Sequence, residues 1–298
     1  LYSSAASDVY KRQVLVLPLL YQTCQGGVNM IIDSHEHIMF PAKMQLDKMD
    51  AAGVDRAILF CSAPHPEKAN NLNELETEMN TLYKILAGAN SKEDNIKRLK
   101  KNIVEITTAI KENPNHFWGF GSVPLALSLE ETQNWIDTQI TANSLCGIGE
   151  FTPGNEQQII QLETVFQAIM NTRLYPVWVH TFNPVTLSGI KQLMSLCEKY
   201  PEVPVIFGHL GGSNWIEVIK FAKEHKNAYL DLSAAFASIA TKMALVELPE
   251  RCLYSSDAPY GEPYLYKQLI EFVSPSQSVA KKALGENILE LLERINLI

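Results

Sequence analysis

Short apolar runs rich in β-branched residues recur along the chain, each followed by a longer stretch whose apolar positions return every three or four residues. The runs are Val28–Asp33, Arg56–Cys61, Phe117–Val123, Leu145–Phe151, Pro176–His180, Val203–His209, Ala228–Ser233 and Arg251–Ser256. Their length and composition predict strands. The stretches between them predict helices near 43–52, 72–112, 129–141, 156–171, 185–199, 214–225, 236–247 and 263–272, with a last one near 277–294. Ser128 ahead of Glu130 and Glu131, and Pro184 after Asn183, supply the chemistry expected at helix starts.

Eight β/α units of this length predict an α/β fold, a (β/α)8 TIM barrel, in preference to a doubly wound open sheet. One connection breaks the rhythm. Ser62 to Pro114, between strands two and three, is far longer than one loop and one helix. Its apolar positions, Leu72, Leu75, Met79, Leu82 and Leu86 and then Ile96, Leu99, Ile103, Ile106 and Ile110, suggest two helices. Because it leaves from the C-terminal end of strand two, this helical insertion is expected to fold over the barrel mouth as a partial lid.

With 298 residues, 46% of them hydrophobic and 19% charged, the chain can bury a large core in a single domain. That domain is expected over residues 30–298. Residues 1–29 read as an N-terminal extension outside the fold, with Met30 as the natural start. Lys11-Arg12 ahead of Val14–Leu20 has some likeness to a secretion signal, but the apolar run is short and no clear small-x-small site follows. A net charge of -8 argues against nucleic acid or an anionic membrane as partner, and favours a small-molecule substrate. No stretch has the roughly 18 apolar residues of a spanning helix. Five scattered cysteines without CxxC spacing suggest neither a disulfide framework nor a zinc ribbon, which fits a cytoplasmic location. Homo-oligomer formation stays open.

The chemistry collects at strand ends. Met30-Ile31-Ile32-Asp33-Ser34-His35-Glu36-His37 closes strand one with two histidines at i, i+2, which alternation turns to the same side. Two such imidazoles can grip a divalent ion; alone, the pair could equally be polar residues on a solvated face. Glu150 ends strand four, His180 strand five, His209 strand six and Asp257 strand eight, where a barrel gathers its reactive groups. Four of the seven histidines fall at such ends. Of the others, His225 lies in a charged helix end, His116 opens strand three at the opposite face, and His65 is a loop residue that could line the mouth. Asp33 and Ser233 are candidates for the site or for buried structure.

Asp33-Ser34-His35-Glu36-His37, Val179-His180, Gly208-His209-Leu210-Gly211-Gly212, Ser256-Asp257-Ala258-Pro259-Tyr260-Gly261 and Gly285-Glu286-Asn287-Ile288-Leu289 together resemble the amidohydrolase superfamily, in particular its amidohydrolase-related branch of metal-dependent hydrolases and decarboxylases. The resemblance covers nearly all of residues 30–298. It implies that His35, His37, His180 and Asp257 bind one divalent metal ion, most readily Zn2+, and that His209 meets a second metal or the substrate oxygen. A water on such an ion drops in pKa from 15.7 to about 7. Asp257 would take its proton and pass it to the leaving group.

Glu150 departs from the subtypes that bridge two metals with a carboxylated lysine, and resembles the metal-contacting glutamate of TatD-like nucleases. It leaves one ion or two open. The implied function is metal-dependent hydrolysis of a small amide, lactone or ester through a metal-bound hydroxide. The alternatives are a nonoxidative decarboxylase of the same branch, for which Lys68 or Arg98 in the lid could hold the carboxylate, and a TatD-like nuclease, which the acidic composition disfavours.

Overall fold

The computed structural model describes residues 30–62, 64–86 and 91–298. The expected N-terminal extension, 1–29, therefore lies outside the described residues. Eight parallel strands form the centre: β1 Ile32–His37, β2 Arg56–Phe60, β3 Phe117–Gly119, β4 Ile148–Phe151, β5 Val177–His180, β6 Val205–Gly208, β7 Ala228–Asp231 and β8 Cys252–Leu253. Each pairs with the next in sequence order within β1 to β3 and within β4 to β8.

Two seams close the ring just beyond the regular strands. Between β3 and β4, Cys146 N donates to Gly119 O at 2.9 Å and Gly121 N to Gly147 O at 3.0 Å. Between β8 and β1, Ser34 N donates to Tyr254 O at 2.8 Å and His37 N to Ala258 O at 2.7 Å. The predicted barrel is what forms.

Helices wrap this ring: α1 Ala42–Ala52, α2 Leu72–Leu86, α3 Lys92–Glu112, α4 Leu129–Trp135, α5 Glu156–Asn171, α6 Leu187–Lys199, α7 Trp215–Glu224, α8 Ser238–Glu247, α9 Pro263–Val273, α10 Gln277–Lys281 and α11 Asn287–Arg294. Ser128 caps α4 reciprocally with Glu131, satisfying two backbone donors at once. No helix among the described residues is long and apolar enough to cross a membrane.

Strand alternation produces two apolar layers. Val177, Val179, Val205, Phe207, Ala228 and Leu230 face the helices, whereas Trp178, Ile206, Tyr229 and Leu253 fill the barrel interior with Phe60 and Phe120. Ile288, Leu291 and Leu292 of α11 join the inner cluster. Each buried aliphatic side chain contributes roughly 1.5–3 kcal/mol, so both layers hold the ring in one register.

Two expectations need correcting. The first strand, whose apolar run reads as Val28–Asp33 closed by the two histidines, is regular from Ile32 to His37, because backbone groups of residues 34–37 find partners on the β8 side as well as on β2. The insertion also divides differently. The α3 helix buries Leu99, Ile103 and Ile106 in the main core and is the ordinary crossover from β2 to β3, whereas α2 buries no residue and is the true addition.

Candidate active site

Alternation along the strands aims polar side chains into the mouth of the ring. In β5, Val177 and Val179 point to the helices while Trp178 and His180 point inward; in β7, Tyr229 and then Asp231 do the same. In β1 the pairing register shifts between Asp33 and Glu36. Ile32 and His35 therefore both face inward, three positions apart, and the His35 ring rests against Phe60 and Trp178 at 4.5 and 5.1 Å between centroids.

His35 and His37 present their Nε2 atoms to two carboxylates. His35 Nε2 lies 3.8 Å from both Glu150 Oε2 and Asp257 Oδ1; His37 Nε2 lies 3.7 and 3.3 Å from the same pair. The other ring nitrogens are already committed. His35 Nδ1 donates to Asp231 Oδ2 at 3.1 Å, and His37 Nδ1 donates to the Cys61 carbonyl at 2.9 Å. Those bonds turn both Nε2 atoms toward the carboxylates, where a cation could stand in place of a proton.

The opposite oxygen of Glu150 serves a second pair. Oε1 lies 3.3 Å from His180 Nδ1 and 3.3 Å from His209 Nε2, and those two nitrogens are 2.9 Å apart. His180 Nε2 is bonded to the Asn183 carbonyl, and His209 Nδ1 to Ser233 Oγ at 2.8 Å. Glu150 reaches this bridging place because β4 presses against β5 at Gly149. There φ is 135°, and a Cβ would stand 2.5 Å from the Trp178 carbonyl, so only glycine fits. His209 and Asp257 also adopt left-handed backbone, at φ 59° and 58°. Such conformations cost non-glycine residues of order 1–3 kcal/mol and concentrate at working sites.

Charge is unbalanced in favour of a cation. Burial alone would lower the His35 pKa, but the carboxylates of Glu150, Asp231 and Asp257 overcome it and carry the ring up to about 10. Burial would likewise raise Glu150 and Asp231. The charge of His35 and bonds from His180 and His209 instead hold Glu150 well below the usual carboxylate range; the His35 bond and charge bring Asp231 down to about 2. Asp33, by contrast, is pushed up to about 6 by burial.

A fully buried His35 Nε2 without a hydrogen-bond partner among the described residues, facing two carboxylates, fits a divalent cation in place of a ring proton. His35, His37 and Asp257 form one group with donor atoms within 4.8 Å of one another; His35, His209 and Asp231 form another; Glu150, His180 and His209 form a third.

All the residues singled out in the sequence converge here, though not as one four-ligand set. His180 joins Glu150 and His209, and no group includes it with His35, His37 or Asp257. Asp33 turns out to tie strands together, accepting from His35 N and Ser256 N; Ser233 orients His209. His225 stacks on Phe221 away from the site, and exposed His116 stands at the opposite end of its strand.

Asp231 went unnoticed in the sequence. Its carboxylate orients His35 and also accepts from the His209 backbone N–H at 3.1 Å. Inward parity with Tyr229, as His180 has with Trp178, is the signal that would have found it.

Comparison with known proteins bears on the same region. A family model described as amidohydrolase matches residues 112–294. No curated protein sequence matches. Among solved structures, the chain is similar to 5-carboxyvanillate decarboxylase from Sphingomonas paucimobilis, with TM-score 0.68 and 15% identity over 90% of this chain and 100% of that one. Dihydroxybenzoic acid decarboxylase from Polaromonas, with bound manganese and 2-nitroresorcinol as inhibitor, has TM-score 0.64 and 17% identity over 90% and 98%. 4-Oxalomesaconate hydratase from Rhodopseudomonas palustris has TM-score 0.63 and 13% identity over 90% and 97%.

Proposed function

The chain belongs to the amidohydrolase family of metal-dependent enzymes, and from that premise we propose that it hydrolyses a small amide, lactone or ester at the barrel mouth. His35, His37 and Asp257 would hold a first divalent ion, and His180 and His209 a second, with Glu150 shared between them. Imidazole with carboxylate suits zinc; manganese, present in one similar structure, is the other choice to test. When bound, the metal supplies Lewis-acid polarisation and a lowered water pKa.

The observation that carries this reading is Asp257. Its carboxylate is 14% exposed, 3.3 Å from His37 Nε2, and its side chain has no hydrogen-bond partner among the described residues. Asp257 can therefore hold a proton taken from water and release it to a leaving amine or alkoxide, as a positioned acid–base group does. The left-handed backbone of Asp257, locked by its N–H to the His35 carbonyl at 2.8 Å, orients it. Ser233 holds His209 Nδ1, so its Nε2 is the one nitrogen left, and it would orient a substrate oxygen only where a second ion does not take it. Tyr260, whose ring meets His37 edge-on at 5.6 Å, covers one side against bulk water.

Nonoxidative decarboxylation is the second reading, comparably supported because the similar structures are mostly decarboxylases. There Asp257 would deliver its proton to carbon. Zinc- and manganese-loaded protein should be assayed against lactones, amides and aromatic carboxylates with carbon dioxide monitored. Ring or amide opening is the expected result, and carbon dioxide release without water addition would replace the first reading by the second. Chelation should lower the unfolding midpoint, since a ligand that binds only the folded state stabilises it by mass action. An unchanged midpoint and no bound ion would remove the basis of both.

A further inference from the structure

The two histidines of β1 are anchored by different means. The His35 ring is set by a carboxylate, Asp231, at 3.1 Å. His37 closes the strand, and its ring is set by a backbone group, the Cys61 carbonyl, at 2.9 Å. The chain that carries it is gripped from outside the ring by Gln45 of α1, a fully buried amide. Gln45 Nε2 donates to Glu36 Oε2 at 2.7 Å and to the His37 carbonyl at 3.2 Å, while Oε1 accepts from Met39 N at 3.2 Å. One side chain therefore ties down residues 36, 37 and 39. The amide fits in one orientation: turned over, it would set Nε2 against the Met39 N–H and Oε1 against the His37 carbonyl.

This end of β1 depends on such a hold. Pairing with β2 shifts register between Asp33 and Glu36, and the regular ladder stops where His37 meets Phe60. His37 N donates to Ala258 O at 2.7 Å and Asp257 N to the His35 carbonyl at 2.8 Å, so the strand end and the Asp257 turn brace each other. A shift of residue 37 would move both His37 Nε2 and the Asp257 carboxylate, which stand 3.3 Å apart. Metal sites tolerate ligand displacements of only about 0.2 Å.

We propose that Gln45 is a positioning residue for the first metal ion: acting through the His37 carbonyl, it holds the His37 ring, and with it Asp257, in the arrangement that one divalent cation closes. The inference rests on the reading of His35, His37 and Asp257 as the group that takes that ion, and it adds a residue of α1 that contributes no donor atom to it.

Stepwise titration of the metal-free full chain tests this, with zinc followed by calorimetry and cobalt followed by its visible absorption. Gln45→Met keeps the volume and removes all three bonds. The first equivalent should weaken about tenfold or more, the second should change little, and the absorption of the first cobalt equivalent should shift. Exchanging the two groups, Glu36→Gln with Gln45→Glu in one chain, restores the bonds to residue 36 and to Met39 N but leaves the His37 carbonyl facing an acceptor. That chain should unfold near the unsubstituted midpoint and still bind the first ion weakly. Asn227 is the control: a buried amide that donates to the carbonyls of Cys197, Tyr200 and Val203 at 2.9, 3.3 and 3.1 Å, at the strand-start end of the barrel. Asn227→Ala should lower the unfolding midpoint and leave both metal equivalents and the cobalt spectrum unchanged. First-ion affinity and cobalt absorption untouched by Gln45→Met or by the exchange, equal loss of both equivalents, or equal weakening by Asn227→Ala would overturn the role. An unsubstituted chain that takes up neither metal would sink the metal reading and this inference with it; uptake that Gln45→Met leaves unaltered would sink the inference alone.

Discussion

His35 stands within β1 and His37 ends it, on backbone paired on both sides, and His180 likewise ends the two-sided β5; His209 alone sits on left-handed backbone just past the end of β6. The rings differ more sharply. His35 Nε2 is buried without a partner, while His180 and His209 already bond to each other at 2.9 Å. A rigid half that is completed only by a cation faces a half that can close on itself. Glu150 touches both, and the first ion should therefore bind more tightly than the second.

The largest effect should come from Asp257→Asn, on the rigid half. Turnover should fall at least about a hundredfold while most of the metal stays bound; unchanged turnover would remove Asp257 from the mechanism. Asp231→Asn should weaken the tighter ion by about 10–100-fold, the scale for a carboxylate that orients a ligating histidine. Metal titration decides it, and weakening confined to the second equivalent would invert the comparison.

A smaller change is expected from His180→Asn, about tenfold on the second equivalent and little on the first, since only the self-closing half is touched. Equal loss of both ions would show that the halves bind as a single unit. Ser233→Ala should be mildest, about threefold on the second ion, because it removes one hydrogen bond to His209. A larger loss there would mean that His209 depends on that bond for its orientation.

Much of this was legible. Strand and helix periods are local consequences of alternation and of 3.6-residue repeats, so the Glu156–Asn171 helix appears where the pattern places it. The seam at Ala258 was not legible, because it lies past the last predicted strand in an irregular segment with no period to read, whereas the seam at Gly121 falls within the predicted Phe117–Val123 run. The role of α3 was hidden as well: the apolar spacing of the insertion is the same for a lid helix and for a crossover helix, and only packing of Ile103 and Ile106 against the core tells them apart.

For the site, the sequence by itself determined which polar residues come together: His35, His37, Glu150, His180, His209 and Asp257 all sit where a parallel barrel must bring strand ends together. The tertiary structure decided how they divide. A one-residue irregularity in β1 sets which face His35 takes, the close approach at Gly149 carries Glu150 between two pairs of rings, and Asp231 gains its role only when β7 closes beside β6. Chemical type and approximate strand position are properties of the residue and its neighbours in the chain. Which nitrogen is free and which oxygen it faces depend on contacts between residues as far apart as His35 and Asp231, which the chain brings together only by closing the ring.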